Sequence, residues 1–157
     1  LGEQDSRRWA EIIELAINLK LASDLIERML RKVQQQKTSQ RRSFSEVGLE
    51  ELTGLHSQLL LNLRLGLSVF VSADPESARQ LLREKRRFRA QERRLAHAHV
   101  SRLQRKVVQS IETSSLHLEM IGDMKRLNSL FCSSAYAVLE TAETGALSSE
   151  PLPDQPM

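Results

Sequence analysis

Cysteine is nearly absent: Cys132 stands alone in 157 residues, which excludes an intramolecular disulfide framework and suits a reducing compartment. Set beside Phe131 on a predicted helix, it reads as a small buried side chain and not as a reactive thiol. Aromatic residues are scarce at 4%, and the most basic stretch interleaves only Phe88, so a surface that stacks nucleic-acid bases is not expected. Long apolar runs are missing as well. The nearest, Leu59 to Val71, is broken by Asn62, Arg64 and Ser68, short of the roughly 20 residues a membrane span needs. No glycine-rich phosphate loop, Cys-x-x-Cys pair, His-Glu-x-x-His motif or alternating strand pattern occurs. His97 and His99, two apart on a predicted helix, point away from each other and make no bidentate site alone. There is neither an initiator Met nor a secretory signal, which reads as a fragment or processed product with a partner domain outside it.

What remains is one domain's worth of amphipathic helix with a mild basic excess, net charge +3. The spacing predicts a first helix over about 5–36, its seam formed by Ile12, Ala16, Leu19, Ile26, Leu30 and Val33, with Ser23 filling the missing place. Lys37 to Ser45 is polar and aperiodic, a loop. Ser45 then caps a second helix over 46–73, with Phe44 and Leu49 spaced as a hydrophobic staple. Its expected stripe is Leu49, Leu52, His56, Leu59, Leu63, Gly66 and Phe70, with His56 a core-edge histidine and Gly66 marking a close helix approach. Asp74-Pro75-Glu76 is an N-cap, N1 and first-turn acid, so a third helix over 75–105 follows after a sharp antiparallel reversal. Its weaker stripe is Ala78, Leu81, Leu82, Phe88, Leu95, His99 and Leu103. A polar joint leads to a fourth helix over 111–141. The tail 143–157, rich in Pro and Ser, is expected to be disordered, leaving 1–142 as the domain. Helices of such lengths, each roughly 45 Å long, predict an all-α, elongated antiparallel four-helix bundle.

Two stretches carry charge in a suggestive pattern. Glu119 and Asp123 project from the same side of the last helix, where Asp123 falls inside the edge of the apolar arc and Glu119 just outside it. A carboxylate in that position is partly desolvated and demands a cation or hydrogen-bond donors. Asp24 and Glu27 flank the stripe of the first helix, with Lys20 one turn before Asp24. Arg79 through Arg94 is strongly basic, interrupted by Glu84 and Glu92. It reads as a solvated helix face whose long stems cover apolar surface, the functional alternatives being contact with nucleic acid, an acidic protein surface or anionic lipid headgroups.

Leu118-Glu119-Met120-Ile121-Gly122-Asp123 resembles the Leu-Glu-Arg-Ile-Gly-Asp stretch of PhoU-type domains. The longer string from Ile111 to Ser129 is similar to one branch, the cytoplasmic PhoU-like domain at the C-terminus of bacterial sodium/phosphate cotransporters. Ile17-Asn18-Leu19-Lys20-Leu21-Ala22-Ser23-Asp24 is similar to that branch's first carboxylate motif, with Lys20 where an acid is usual and Ser23 where Gly is usual. The resemblance covers most of residues 10 to 140. It implies Glu119, Asp123, Asp24 and Glu27 as ligands of a divalent or trivalent metal such as iron, zinc or magnesium. Lys20 removes one ligand and adds a repelling charge of about 1 kcal/mol at 4 Å in water-like dielectric. A metal-free bundle closed by salt bridges is the competing arrangement.

The function so implied is a non-catalytic regulatory domain of a sodium-dependent phosphate transporter, at the cytoplasmic face of the bacterial plasma membrane. Its partners would be the transporter domain of the same full-length chain, a second copy in a homodimer, and the anionic membrane surface met by the basic third helix, with no nucleic acid. A free-standing PhoU-like adaptor acting in trans is the alternative. A metal-dependent hydrolase is a further one, in which bundle carboxylates hold metals that activate water.

Overall fold

The turn between the second and third helices shows most plainly how local chemistry sets the architecture. Asp74 accepts from the Ser77 N–H at 2.8 Å, Pro75 opens the next helix, and Ala73 adopts the left-handed conformation (φ 51°) that ends the one before. The chain reverses within two residues. In this computed structural model, which describes residues 2–39, 44–105 and 108–147, the helices are α1 (Glu3–Ser39), α2 (Glu46–Ser72), α3 (Pro75–Gln104), α4 (Val108–Phe131) and α5 (Ser134–Leu147). The fold is all-α, and no strand occurs among the described residues.

The expected fourth helix is α4 and α5 together, interrupted at Cys132 and Ser133, where Ala135 and Tyr136 donate only three residues back. It continues to Leu147, so 143–147 are helical where disorder was expected. The disorder expected for 148–157 lies outside the described residues, as do positions 40–43 of the expected loop. Ser45 caps α2 by accepting from the Gly48 N–H at 3.1 Å. The staple does not form as expected: Phe44 packs against the core, edge-on to His117, while Leu49 stays 56% exposed.

α4 is the hub, packed on α1, α2 and α3, while α3 and α2 also pair with each other and with α5. Pairing across the elements fixes the directions. Asn62 reaches Asn128 and Glu51 nears His117, so α2 and α4 are parallel; Asn18 reaches Ser133 and Lys32 reaches Glu119, so α1 and α4 are antiparallel. One core cluster joins Leu25 and Met29 of α1 to Leu52, Leu55, Leu59, Phe88, Ile121, Met124 and Leu127. A second gathers Val69, Ala78, Leu81, Cys132, Ala135 and Val138 at the other end.

The buried stripes differ from the expected ones in an instructive way. In α2 the inward row is Gly48, Leu52, Leu55, Leu59, Asn62, Gly66 and Val69, and His56 is exposed, not at the core edge. Asn62 is the reason. A polar residue breaks an apolar reading, yet its amide is fully buried and donates to the Asn128 carbonyl oxygen at 2.7 Å. In α1 the expected seam of Ile12, Ala16, Leu19, Ile26 and Leu30 is exposed. The row laid on α4 is instead Leu15, Asn18, Ala22, Leu25, Met29 and Lys32. Asn18 and Lys32 make that row look polar, and both are used: one donates to Ser133 Oγ, the other pairs with Glu119.

Gly66 does mark a close approach. An added Cβ would lie 2.1 Å from the Phe131 carbonyl oxygen, and the Gly66 carbonyl accepts from Ser134 Oγ at 3.0 Å, pinning α2 to the break between α4 and α5. Cys132, beside this junction, is fully buried, and desolvation pushes its thiol up to about 12.

Candidate functional site

The four carboxylates expected as ligands do not meet. Asp24 accepts from Lys20 at 2.6 Å and Glu27 from Arg31 at 2.6 Å, each within α1 and on its outward side. Glu119 is bound by Lys32 across the α1/α4 contact and accepts from Ser115 as well. The Lys32 hydrogen bond chiefly holds its carboxyl below the usual range. Asp123 lies where the helical arc placed it, 5% exposed, with Arg126 at 3.4 Å from one oxygen and no hydrogen bond to the other. Lys20 faces none of the acids on α4. Lys32, unremarked in the sequence, takes that place because it follows the row Ala22, Leu25, Met29 onto α4. Among the described residues no group of three or more His, Cys, Asp or Glu side chains could hold a metal ion. Charged side chains of the chain itself answer Asp24, Glu27 and Glu119, so the donor set does not fit a shared metal centre.

A polar tier nearer the first turn of α2 went unseen because three helices contribute to it. Arg102 of α3 binds Glu51 of α2 through two parallel hydrogen bonds of 2.8 and 2.7 Å. His117 of α4 brings Nε2 to 3.2 Å from Glu51, off the angle of a good hydrogen bond, and stacks on His99 with ring centroids 4.5 Å apart. Gly48 makes room, since a Cβ there would touch the His117 ring at 3.2 Å. Desolvation lowers the pKa of both histidines. The Arg102 charge lowers His99 further and the neighbouring His99 lowers His117, while Glu51 acts in the opposite sense on both. The pair is thus held neutral, a packed polar core with no lone local signature. His99 alone was expected on the inward stripe.

The outward side of α3 carries the basic run. Arg79 and Arg83 grip Glu76, Arg87 grips Glu84, and Lys85 donates to the Tyr136 hydroxyl at 3.1 Å with its ammonium 4.9 Å from the ring centroid. Arg86, Arg89, Arg93 and Arg94 are exposed and form no ion pair among the described residues. Spaced along the solvent side of one helix, these four make an arginine ridge with unbalanced positive charge. No helix of the described residues is long and apolar enough to cross a membrane.

Three comparisons bear on this geometry. No family model matches the chain, and no solved structure matches it. Among curated proteins, one from Salmonella typhimurium is 61% identical over 140 residues, and one from Escherichia coli K12 is 59% identical over the same length. Both carry the provisional name inorganic phosphate export protein YjbB. The match takes in 89% of this chain and 26% of each relative. The chain is therefore similar, across nearly all its helices, to about a quarter of a longer protein named for phosphate export.

Proposed function

We propose that this bundle is a non-catalytic regulatory domain of a phosphate-transport protein, acting at the cytoplasmic face of the membrane that the rest of that protein occupies. The observation that carries the reading is the 61% identity, over 140 residues, to a segment of a protein named for phosphate export. Identity of that order over so much of the chain supports a shared role for the segment. The geometry adds a means of action. The arginine ridge of α3 faces outward and is suited to anionic lipid headgroups, each basic residue near such a surface contributing about 1 kcal/mol. The carboxylates on α1 and α4 act in this reading as clasps: Lys32 to Glu119 holds α1 on the hub. Control then comes from how the bundle sits against the membrane, with no metal required.

The test is a hybrid protein. The matching quarter of the Salmonella relative is replaced by this chain, and phosphate flux is followed in cells lacking the relative. The hybrid should restore flux and its dependence on external phosphate, while the relative deleted for that quarter should keep transport capacity and lose the dependence. Flux that is indifferent to the segment at every phosphate level would count against a regulatory role.

A further inference from the structure

Where α3 runs beside α2 the two helices border an open groove of about 870 Å³, a volume in the range of small-molecule sites. Gln58 of α2 lines it together with Arg87, Gln91, Arg93, Arg94 and His97 of α3, and the short side chain of Ala90 keeps its middle clear. Helical spacing explains the gathering. Steps of three and four lead from 87 through 90 or 91 to 94 and 97, so these positions share one side of α3. That side borders α2, because a Cβ on Gly54 would lie 3.9 Å from Gln91 Nε2 and Gln58 donates to Glu84 at 3.3 Å.

The groove is rich in donors and has no acid among its lining side chains. Glu84 stands at one end, where it holds Arg87 at 2.7 Å and, with Asn62, engages the Gln58 amide nitrogen. Gln91 is half-buried and makes no hydrogen bond to any described residue, while Arg93, Arg94 and His97 are exposed and form no ion pair among them. Guanidinium groups bind phosphoryl oxygens through two parallel hydrogen bonds, a fit that an ammonium does not give. Spacing decides the size of the anion. Arg87 and Arg94 are two turns apart, about 10.5 Å along the axis, and Arg87 leans to Glu84, away from Arg94. One phosphoryl group cannot satisfy both. A flat acidic protein surface would not reach the half-buried carboxamides of Gln58 and Gln91.

We propose that this groove binds a small soluble anion carrying two or more phosphoryl groups, such as pyrophosphate or a nucleoside diphosphate. Arg87 and Arg94 take separate phosphoryl groups, Gln91 donates between them, and Arg93 and His97 close the open end. The site does not rest on the membrane contact proposed above, because Arg86 and Arg89 of the ridge lie outside the groove and the ligand is soluble.

The test is titration calorimetry of the 157-residue chain with pyrophosphate and with inorganic phosphate, at about 0.1 M ionic strength, where the Debye length is about 10 Å. Pyrophosphate should bind at least roughly tenfold more tightly than phosphate. Arg87→Gln with Arg94→Gln should weaken pyrophosphate binding at least roughly tenfold, and Gln91→Leu, which changes no charge, about threefold. Arg86→Gln with Arg89→Gln removes the same charge from outside the groove and should cost no more than about twofold. Circular dichroism should show the same helical signal in all of them. Equal losses in the two arginine pairs would reveal a general response to charge and overturn the site, as would absence of pyrophosphate binding or indifference to Gln91→Leu. Vesicles containing anionic phospholipid are the other source of phosphoryl groups. Vesicle binding that is lost with Arg87→Gln and Arg94→Gln, in a chain that does not bind pyrophosphate, would assign these side chains to the membrane and overturn the soluble ligand while sparing the membrane reading.

Discussion

At the scale of single residues, two glycines twelve positions apart in one helix have opposite meanings. Gly54 and Gly66 both lie inside α2, where replacement by Ala should favour the helix by up to about 1 kcal/mol. Gly54 has room, with only Gln91 Nε2 at 3.9 Å from an added Cβ, so Gly54→Ala should stabilise the chain by about that amount. Gly66 has none, because the Phe131 carbonyl oxygen is backbone and cannot swing away. Gly66→Ala should cost roughly 3 kcal/mol, the upper end for an overpacked core. Urea unfolding of both variants gives the signs directly. The stacked histidines predict a pH response. Their folded pKa values lie below the ordinary histidine value of about 6.5, so the folded state binds fewer protons than the unfolded chain. Stability is then complete above about pH 6.5 and falls as pH drops through that value toward the folded ones. A thermal midpoint that declines from pH 7 to pH 5, with a shallower decline in His117→Asn, is the expected outcome. Gly66 could be picked out from the sequence because a glycine on an apolar stripe has few other uses. The Glu51, Arg102, His99 and His117 group could not, because its members are far apart along the chain and no spacing rule joins them.

At the scale of the element, helix ends were easier to read than helix faces. Ser45, Asp74 and Pro75 mark their ends with groups that act on the next few residues only, and all three do so in the structure. Faces depend on what packs opposite. Asn62, Asn18 and Lys32 are inward residues whose partners Asn128, Ser133 and Glu119 lie at least 66 positions away, so a hydrophobic pattern read alone turned α1 and α2 about their axes. The same limit applies to the acids. Burial of Asp123 and exposure of Glu119 followed from one helix, whereas the cation beside Glu119 belonged to another. For α3 the basic run read as a solvated face, and its four unpaired arginines are exposed. They predict that the chain sediments with vesicles containing anionic phospholipid, not with neutral ones, and that it is released as salt is raised past the point where the Debye length is about 8 Å. Arg86→Glu with Arg93→Glu should abolish that binding while leaving the unfolding midpoint within about a degree, since neither side chain supports the core.

At the scale of the whole molecule, the bundle is a three-helix core of α2, α3 and α4 extended by α5, with α1 laid along one side of the hub. Phosphate transport enters through relatives of which this chain matches 26%, and in the function proposed above the ridge on α3 would supply the contact with the membrane. The most direct measurement is phosphate flux through the hybrid of this chain with the Salmonella relative, comparing the intact ridge with Arg86→Glu, Arg89→Glu, Arg93→Glu and Arg94→Glu combined. The account predicts that the reversed ridge leaves the hybrid folded and in the membrane but removes the dependence of flux on external phosphate. Flux and phosphate dependence equal to those of the intact hybrid would contradict it.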